Sequence, residues 1–529
     1  MTIPAHPASV APRSDLPVAI LKGVAAVLAA GFLALALRPA ATIFDMPLTE
    51  DGYYALAVAR NVARGNGVTI DGMHWTAGFQ PLFTFLQAAM FWLADRFSPG
   101  DDALAIRFVL MLHLAAHAAG AATVALIARD AWDGEAEERR LRLWLAAALW
   151  LAAPLLFNHS YNGLETGSVM FFYAACWRWI QTGRDERTAG LVGLGALAGL
   201  TVLARIDATF FVAALCLREL WRRRHRGAVA AAFRAAILGA TAVVVSSPWW
   251  IYNFILAGSP MPSSGTAQQV WALDPDRLIE AGWALGIVAM PWVFAGGHEG
   301  TWSWALRAIL IGAGAVILAM AAAGGAGGRA LRGPAGPRVR RTLGGAAAIT
   351  ATMAALAAYY TLSFAASWFY YRYFAPVAVL AGVAVPTVGA ALASRFGLTR
   401  PLAGLAIAAA APVLALAILA QRGGGFSGNA VFHEQVALVR ANVPADARVA
   451  AGQTGTLGFF RDGVVNLDGK VNRDALAWQA NMWDYLAREN IVWFCDWPDY
   501  AERYLGPDPA AHGWRVVATR GDFRLYRRN

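Results

Sequence analysis

Charge is what this sequence has least of. Only 15% of its 529 residues are charged, while 58% are hydrophobic; soluble domains carry roughly a quarter charged residues. A chain so poor in charge reads as a polytopic α-helical membrane protein. Acidic residues are scarcer than basic ones, 34 against 44, which leaves a formal net charge of +10. That excess does not point to nucleic acid, because the arginines gather in short loops between apolar runs and no basic, aromatic-interleaved soluble face is present. Cysteine is nearly missing: Cys176 and Cys216 lie in apolar runs and Cys495 stands alone near the end, which leaves no evident disulfide framework or zinc site. GxGxxG, Walker and GxSxG patterns are absent from any supporting context, so a soluble nucleotide donor has no obvious site. No solenoid-type repeat is visible.

What is present is a series of apolar runs. Residues 1–15 read as a cytoplasmic tail, and 16–37 as an uncleaved first span, long enough to cross a hydrocarbon core of roughly 30 Å with Lys22 snorkelling inward. A cleaved leader ending near Ala40 is the alternative, with a shorter apolar core than this run has. An external loop, 41–103, follows; within it 79–97 reads as an interfacial helix, since counting it as a span would put the EERRLR segment (137–142) outside. Further spans are expected at 104–128, 143–157, 167–180, 189–203, 208–217, 230–250, 302–321, 343–364, 377–393 and 402–420, with 282–294 as a second interfacial helix. This gives about eleven spans, the amino terminus inside and the carboxyl terminus outside. The membrane module is thus 16–420. From 421 to 529 the composition becomes that of a soluble domain: β-prone runs at 448–452, 464–467, 491–495, 514–519 and 523–526 alternate with helical stretches around 430–442 and 474–489. A small extracytoplasmic α/β domain of about a hundred residues is expected.

The polar stretch 49–81 stands out among the apolar runs. Thr49 can cap a helix with Glu50 and Asp51 in its first turn, and Gly65-Asn66-Gly67 would end it just after Arg60 and Arg64. Helical counting puts Asp51, Ala55, Val58 and Val62 on one face and Tyr53, Arg60 and Arg64 on the other, so Asp51 is expected to look inward along an apolar stripe.

Three further external elements carry polar groups that membrane energetics would normally exclude: His159 with Glu165, Arg205 with Asp207, and Arg372 among Tyr370, Tyr371 and Tyr373. Taken singly these elements have bland explanations: Glu50 and Asp51 as first-turn dipole partners, Arg205 and Asp207 as a local ion pair, and Tyr370 to Tyr373 as an aromatic belt with a snorkelling arginine. Together on one side of the membrane they suggest a shared polar cavity. Moving a sugar from a lipid phosphate to a hydroxyl needs a carboxylate at the attacking oxygen and cations on the leaving phosphate. Asp51 is the candidate base, Glu50 its neighbour, and Arg205 and Arg372 the phosphate ligands, because guanidinium binds phosphate bidentately and keeps its charge. His159, Glu165, Asp207 and Tyr373 are candidates for positioning the acceptor or a divalent cation such as Mg²⁺ or Ca²⁺, although no tight cage for one is spelled out.

At these residues the chain resembles a known superfamily. The acidic pair Glu50-Asp51, the following YYALAVARNVARGNGVTIDG and TAGFQP, then NGLET (162–166), ARID (204–207), GSPMPSSGTA (258–267), YRYFAP (371–376), GQTGTLGFF and VVNLDGKVN (464–472) are similar to the GT-C fold glycosyltransferases. These use polyprenyl-phosphate sugars and include protein O-mannosyltransferases, the lipid A aminoarabinose transferase and mycobacterial arabinofuranosyltransferases. The resemblance implies a GT-C membrane module, a bacterial inner-membrane location, a polyprenyl-phosphate-sugar donor and a glycan or lipid acceptor. It also implies the base role for Asp51, lipid-phosphate contacts for the arginines and acceptor contacts for the terminal domain. Two departures stand: a lone Glu165 replaces a DxE-type second motif, and Gln268 lies close to where related sequences often carry a lysine. The competing classes are a lipid or glycolipid transporter or flippase, whose site would lie near the midplane between inverted repeats, and a non-catalytic envelope scaffold.

Overall fold

In lipid every backbone N–H and C=O must be satisfied internally, so apolar runs fold as helices. A computed structural model of the chain describes residues 15–292, 336–364, 366–422 and 429–529. The membrane part begins with α1 (Leu16–Ala36), α2 (Glu50–Ala63), α3 (Pro81–Phe97), α4 (Asp102–Asp130), α5 (Ala136–Leu151) and α6 (Pro154–Tyr161). It continues with α7 (Thr166–Gln181), α8 (Thr188–Ala204), α9 (Thr209–Arg223), α10 (Ala228–Ala257), α11 (Ser263–Ala267) and α12 (Pro275–Ala289). The last four helices are α13 (Pro337–Ser363), α14 (Tyr370–Tyr373), α15 (Val377–Phe396) and α16 (Thr399–Gln421).

Six of these helices, α1, α4, α10, α13, α15 and α16, are long and apolar enough to cross a membrane, and α5 with α6 would make a seventh span bent by 59°. The expected segments at 167–180, 189–203 and 208–217 are helical, but α7, α8 and α9 have 16, 17 and 15 residues, short of the roughly 20 a full crossing takes. The count of about eleven is therefore not reached among the described residues. The expected span at 302–321, most of the tail 1–15 and the start of the arginine-rich loop 329–341 lie outside them. α3 and α12 occupy the two segments read as interfacial, and neither is among the helices fit to span.

Charge marks the two ends of the bundle. α4 has 29 residues and so measures about 43 Å. At one end Asp102 binds Arg60 at 3.0 Å and Arg64 at 2.7 Å. At the other, Asp130 gathers Arg129, Arg139 and Arg178 within 2.9 Å. A second cluster, Arg218, Arg222, Arg223 and Arg234, closes on Asp185, Glu186 and Glu219. These are the loops read as cytoplasmic.

The terminal domain comprises α17 (Asn429–Asn442), β1 (Val449–Ala451), α18 (Gly455–Phe460), β2 (Val464–Asn466), α19 (Arg473–Ala477), α20 (Met482–Arg488), β3 (Trp493–Asp496), α21 (Pro498–Leu505), β4 (Trp514–Arg520) and β5 (Phe523–Arg528). All five β-prone runs are strands, in the order β2-β1-β3-β5-β4. β1 pairs parallel with β2 and β3, and β5 pairs antiparallel with β3 and β4. The helix expected over 474–489 is broken at Gln479–Asn481. All three cysteines are free.

α2 lies between the bundle and this domain. Thr49 caps it by accepting from the Gly52 amide at 3.3 Å, and Gly65 takes φ 82° just past its end. The expected division into an apolar and a polar face does not hold. Tyr53 is fully buried, packed at a tilt against Phe459 and Phe460 of α18, while Arg60 donates to the Phe459 carbonyl at 2.7 Å and lies 4.5 Å above its ring. The reason is that the terminal domain covers the face a solvent-exposed helix would keep polar. Glu50 is part of that contact: its carboxylate accepts from the amides of Gly455 at 2.5 Å and Thr456 at 2.8 Å and from the Thr456 hydroxyl. A Cβ at Gly455 would stand 2.1 Å from the Glu50 carbonyl oxygen, so only glycine allows this approach.

Burial pushes the Glu50 carboxyl up from 4.5 to about 7, against the pull of its three donors. Because the folded state holds this proton more tightly than the unfolded one, the associated stability is greatest below about pH 4.5 and is lost as pH rises to about 7. Glu50→Ala strands two buried amides at ~1–3 kcal/mol each, so deuterium uptake across residues 452–460 is expected to speed up by about tenfold or more. Uptake in β3 and β5 should stay unchanged. In Glu50→Gln the pH dependence of that uptake should flatten, and wild-type behaviour in both variants would remove Glu50 from the docking contact.

Candidate active site

The loops between helices on the Asp102 side of the bundle enclose a cavity of about 460 Å³. Every loop element of the resemblance reaches it except GQTGTLGFF, which docks on α2. Asp51 comes from α2, Gly78 and Gln80 from TAGFQP, Glu165 from NGLET, and Arg205 and Asp207 from ARID. Pro262 and Ser264 come from GSPMPSSGTA, Arg372 and Tyr373 from YRYFAP, and Lys470 from VVNLDGKVN. An apolar wall of Phe79, Phe83, Phe210, Trp250, Met261 and Tyr359 completes it.

Two guanidiniums organise the polar end. Arg205 follows α8 directly, in extended conformation (φ −159°), and its Nε donates to both oxygens of Asp207 at 3.1 and 2.9 Å. Its Nη1 reaches Glu165 at 3.3 Å and the Arg372 carbonyl at 3.0 Å. Asp207 also accepts from the Tyr360 hydroxyl at 2.8 Å, and Tyr360 stacks on Tyr373 at 4.1 Å, with Arg205 lying 4.6 Å above the Tyr373 ring. The local Arg205–Asp207 pair that the sequence permits is therefore real, and tertiary contacts extend it.

Arg372 donates from Nη1 to Asp51 at 2.6 Å, and its Nε is buried with no hydrogen-bond partner. Burial works against the charge of Arg372, but Asp51 and then Glu165 outweigh it and hold its pKa above the ordinary value. Exposure separates the two arginines' partners: the side chain of Asp51 is 28% exposed, whereas those of Arg205 and Glu165 are 4% and 6% exposed. Asp51 is thus the most exposed of the three carboxylates on the cavity wall, and the Arg205 cluster lies more deeply buried beside it.

Two candidates lie elsewhere. Glu50, expected beside Asp51, does not line the cavity, because the next residue on a helix points about 100° away, here toward Gly455. His159, expected to position acceptor or metal, is buried on α6 with neither ring nitrogen hydrogen-bonded. It is absent from the cavity wall; α6 turns away from α5 at the 59° bend and packs inside the bundle. Glu165, Asp207 and Tyr373 do line the cavity, but each is already engaged with Arg205. The donor set does not fit a dedicated Mg²⁺ or Ca²⁺ cage: Asp51, Glu165 and Asp207 are each held by an arginine. Among the described residues no three His, Cys, Asp or Glu side chains converge with metal-ligating geometry.

Sequence reasoning missed Gln80, whose Oε1 accepts from the Ile206 amide at 3.0 Å and so fixes the ARID loop. It also missed Tyr360, hidden inside an ordinary apolar helix, and Lys470. A signal for the last existed: Lys22 and Lys470 are the only lysines in the chain.

Neither a protein-family model nor a curated protein matches the chain in sequence. Among solved structures, it is similar to ArnT from Cupriavidus metallidurans bound to undecaprenyl phosphate, at a TM-score of 0.58 and 14% identity, over 97% of this chain and 98% of that one. The same protein in the apo state matches with a TM-score of 0.55 and 14% identity, over 96% and 97%. At such identity the likeness concerns the fold, and it is the GT-C fold that the ordered motifs implied.

Arg205→Met would leave Glu165 and Asp207 as buried carboxylates without their counter-ion, at a cost of ~3–5 kcal/mol. Thermal unfolding in detergent is expected to show this loss, and Arg205→Met combined with Asp207→Asn should recover part of it. Equal stability of wild type and Arg205→Met would mean that the cluster is not the frame of the cavity.

Proposed function

We propose that this chain is a multi-pass inner-membrane glycosyltransferase that moves a sugar from a polyprenyl-phosphate donor to a hydroxyl of an extracytoplasmic glycan or lipid, with inversion. One observation carries the reading: seven segments far apart in sequence supply one cavity with a reachable carboxylate, two guanidiniums and an apolar wall. An amphiphile with an anionic head fits that division. The undecaprenyl phosphate bound to ArnT, a protein of the same fold, supports the donor class.

In this reading Asp51 takes the proton of the acceptor hydroxyl as its oxygen attacks the anomeric carbon from the face opposite the phosphate. The bond from carbon to phosphate oxygen breaks, its electron pair leaves on the phosphate, and Arg372 with Arg205 receives the developing charge. A phosphate leaves readily enough that no general acid is required. Arg372 has two tasks and one exchange to make. Its Nη1 holds Asp51 at 2.6 Å; transfer of that donor to the phosphate, together with the unpartnered Nε, frees Asp51 to accept the proton. Glu165 and Asp207 act as the carriers of Arg205.

Mass spectrometry of the purified wild-type protein is expected to find a co-purified polyprenyl phosphate, with or without its sugar. Asp51→Asn should lower transfer by about 10²–10⁴-fold while retaining the lipid with the sugar still attached; full turnover in that variant would overturn the base assignment. Lipid binding by a wild type that transfers no sugar would instead favour a lipid transporter.

In the same reading the amino terminus lies in the cytoplasm and the terminal domain outside. Glu502 is exposed on that domain, Cys495 and Cys176 are buried and Cys216 is half-buried, so Glu502→Cys in a Cys216→Ala background reports topology with little interference. A membrane-impermeant maleimide should label it in intact spheroplasts; protection until lysis would reverse the orientation.

A further inference from the structure

We propose that Lys470, delivered by the terminal domain, is a third ligand of the donor phosphate, so that the phosphate site is complete only when that domain is docked on the bundle. The inference rests on the donor class proposed above and adds the residue and the domain that complete its recognition.

The first argument is charge. Without Lys470 the cavity wall holds three carboxylates, Asp51, Glu165 and Asp207, against two guanidiniums, Arg205 and Arg372. An anionic phosphodiester entering it would add to an existing negative excess, in a place where little water screens the repulsion. Lys470 adds a third cation to that wall, shared with Asp468, which stands 3.1 Å from its Nζ and is not among the lining residues. Arg205 cannot serve alone, because its Nε and Nη1 are spent on Asp207, Glu165 and a carbonyl.

The second argument is placement. Lys470 sits in a loop held on both sides by the membrane module. Its carbonyl accepts from the Ser263 hydroxyl of α11 at 2.8 Å. On the other side Gly78 presses so close that a Cβ there would stand 1.9 Å from the same carbonyl oxygen. Within the domain, Asn466 accepts from the Gly469 amide at 3.2 Å and donates to the Thr454 hydroxyl at 2.9 Å, which ties the loop to the segment docked on Glu50. The loop is thus fixed over the cavity, and only the side chain remains to choose a partner.

The third argument is chemistry. Nζ of Lys470 has one ion-pair partner among the described residues, Asp468 at 3.1 Å, which leaves donors of its three N–H for a ligand. Burial lowers its proton affinity, but Asp468 and then Asp51 raise it further and hold the ammonium charged. An ammonium is a compact point charge, suited to a single phosphate oxygen.

Two measurements test this with undecaprenyl phosphate and its uncharged counterpart undecaprenol as probes. In the unaltered protein, acylation by an amine-reactive reagent is read on the tryptic peptide 462–473, with Lys22 as the internal reference. Undecaprenyl phosphate is expected to slow acylation of Lys470 by about fivefold or more, undecaprenol not at all, and Lys22 to be unaffected by either. In Lys470→Met, affinity for undecaprenyl phosphate should fall about tenfold and affinity for undecaprenol should hold. If the wild type binds undecaprenyl phosphate but Lys470 reacts at the same rate with and without it, the proposal is overturned. Equal losses for both lipids in Lys470→Met would likewise reduce Lys470 to a structural role. Failure of the wild type to bind undecaprenyl phosphate would overturn the donor class itself, a separate result.

Discussion

Two adjacent carboxylates at the start of α2 hold the site and its cover in register. Consecutive helical residues point about 100° apart, so Glu50 and Asp51 address different bodies from one rigid turn. Glu50 accepts from the backbone of the terminal domain, and Asp51 meets Arg372 of the membrane module. Because Thr49 caps the helix and also donates its hydroxyl to the Asn162 carbonyl at 3.2 Å, the turn is tied to the NGLET loop as well. A displacement of the domain is therefore felt at Asp51 through a single peptide unit.

The low dielectric of the cavity sorts its charges into two kinds. Arg205 is enclosed by Asp207, Glu165 and a stacked tyrosine pair, an arrangement that leaves it little freedom. Arg372 is held by one carboxylate and keeps an unused buried N–H. A cation with its donors largely spent and one with a donor to spare thus stand side by side in the cavity wall. At the opposite end of the bundle Asp130 and Glu219 gather arginines, and there too Arg218 and Arg223 each keep a buried Nε without a hydrogen-bond partner.

The terminal domain serves the site from above and is part of its wall. GTLGFF covers the outer face of α2 while LDGKVN lays Lys470 on the cavity. These two contacts lie on either side of β2, whose parallel pairing with β1 holds both segments to the same sheet.

Sequence by itself determined the helical membrane class, the terminal sheet and most of the cavity's residues. Low charge and long apolar runs admit only helices in lipid, and five β-prone runs mapped onto five strands because short apolar runs bounded by turn residues mark strands buried on both faces, as β1, β2 and β3 are. Asp51, Arg205 and Arg372 were legible since an ionisable group beside an apolar run is costly and needs a reason. Only the tertiary structure decided that Glu50 turns away, that His159 is packed inside the bundle, that both faces of α2 are buried, and that a lysine from the last hundred residues joins the wall. Those outcomes depend on which surfaces meet across hundreds of residues, as Glu50 meets Thr456 and Gly78 meets Lys470, and helical periodicity carries no information about a partner so far along the chain.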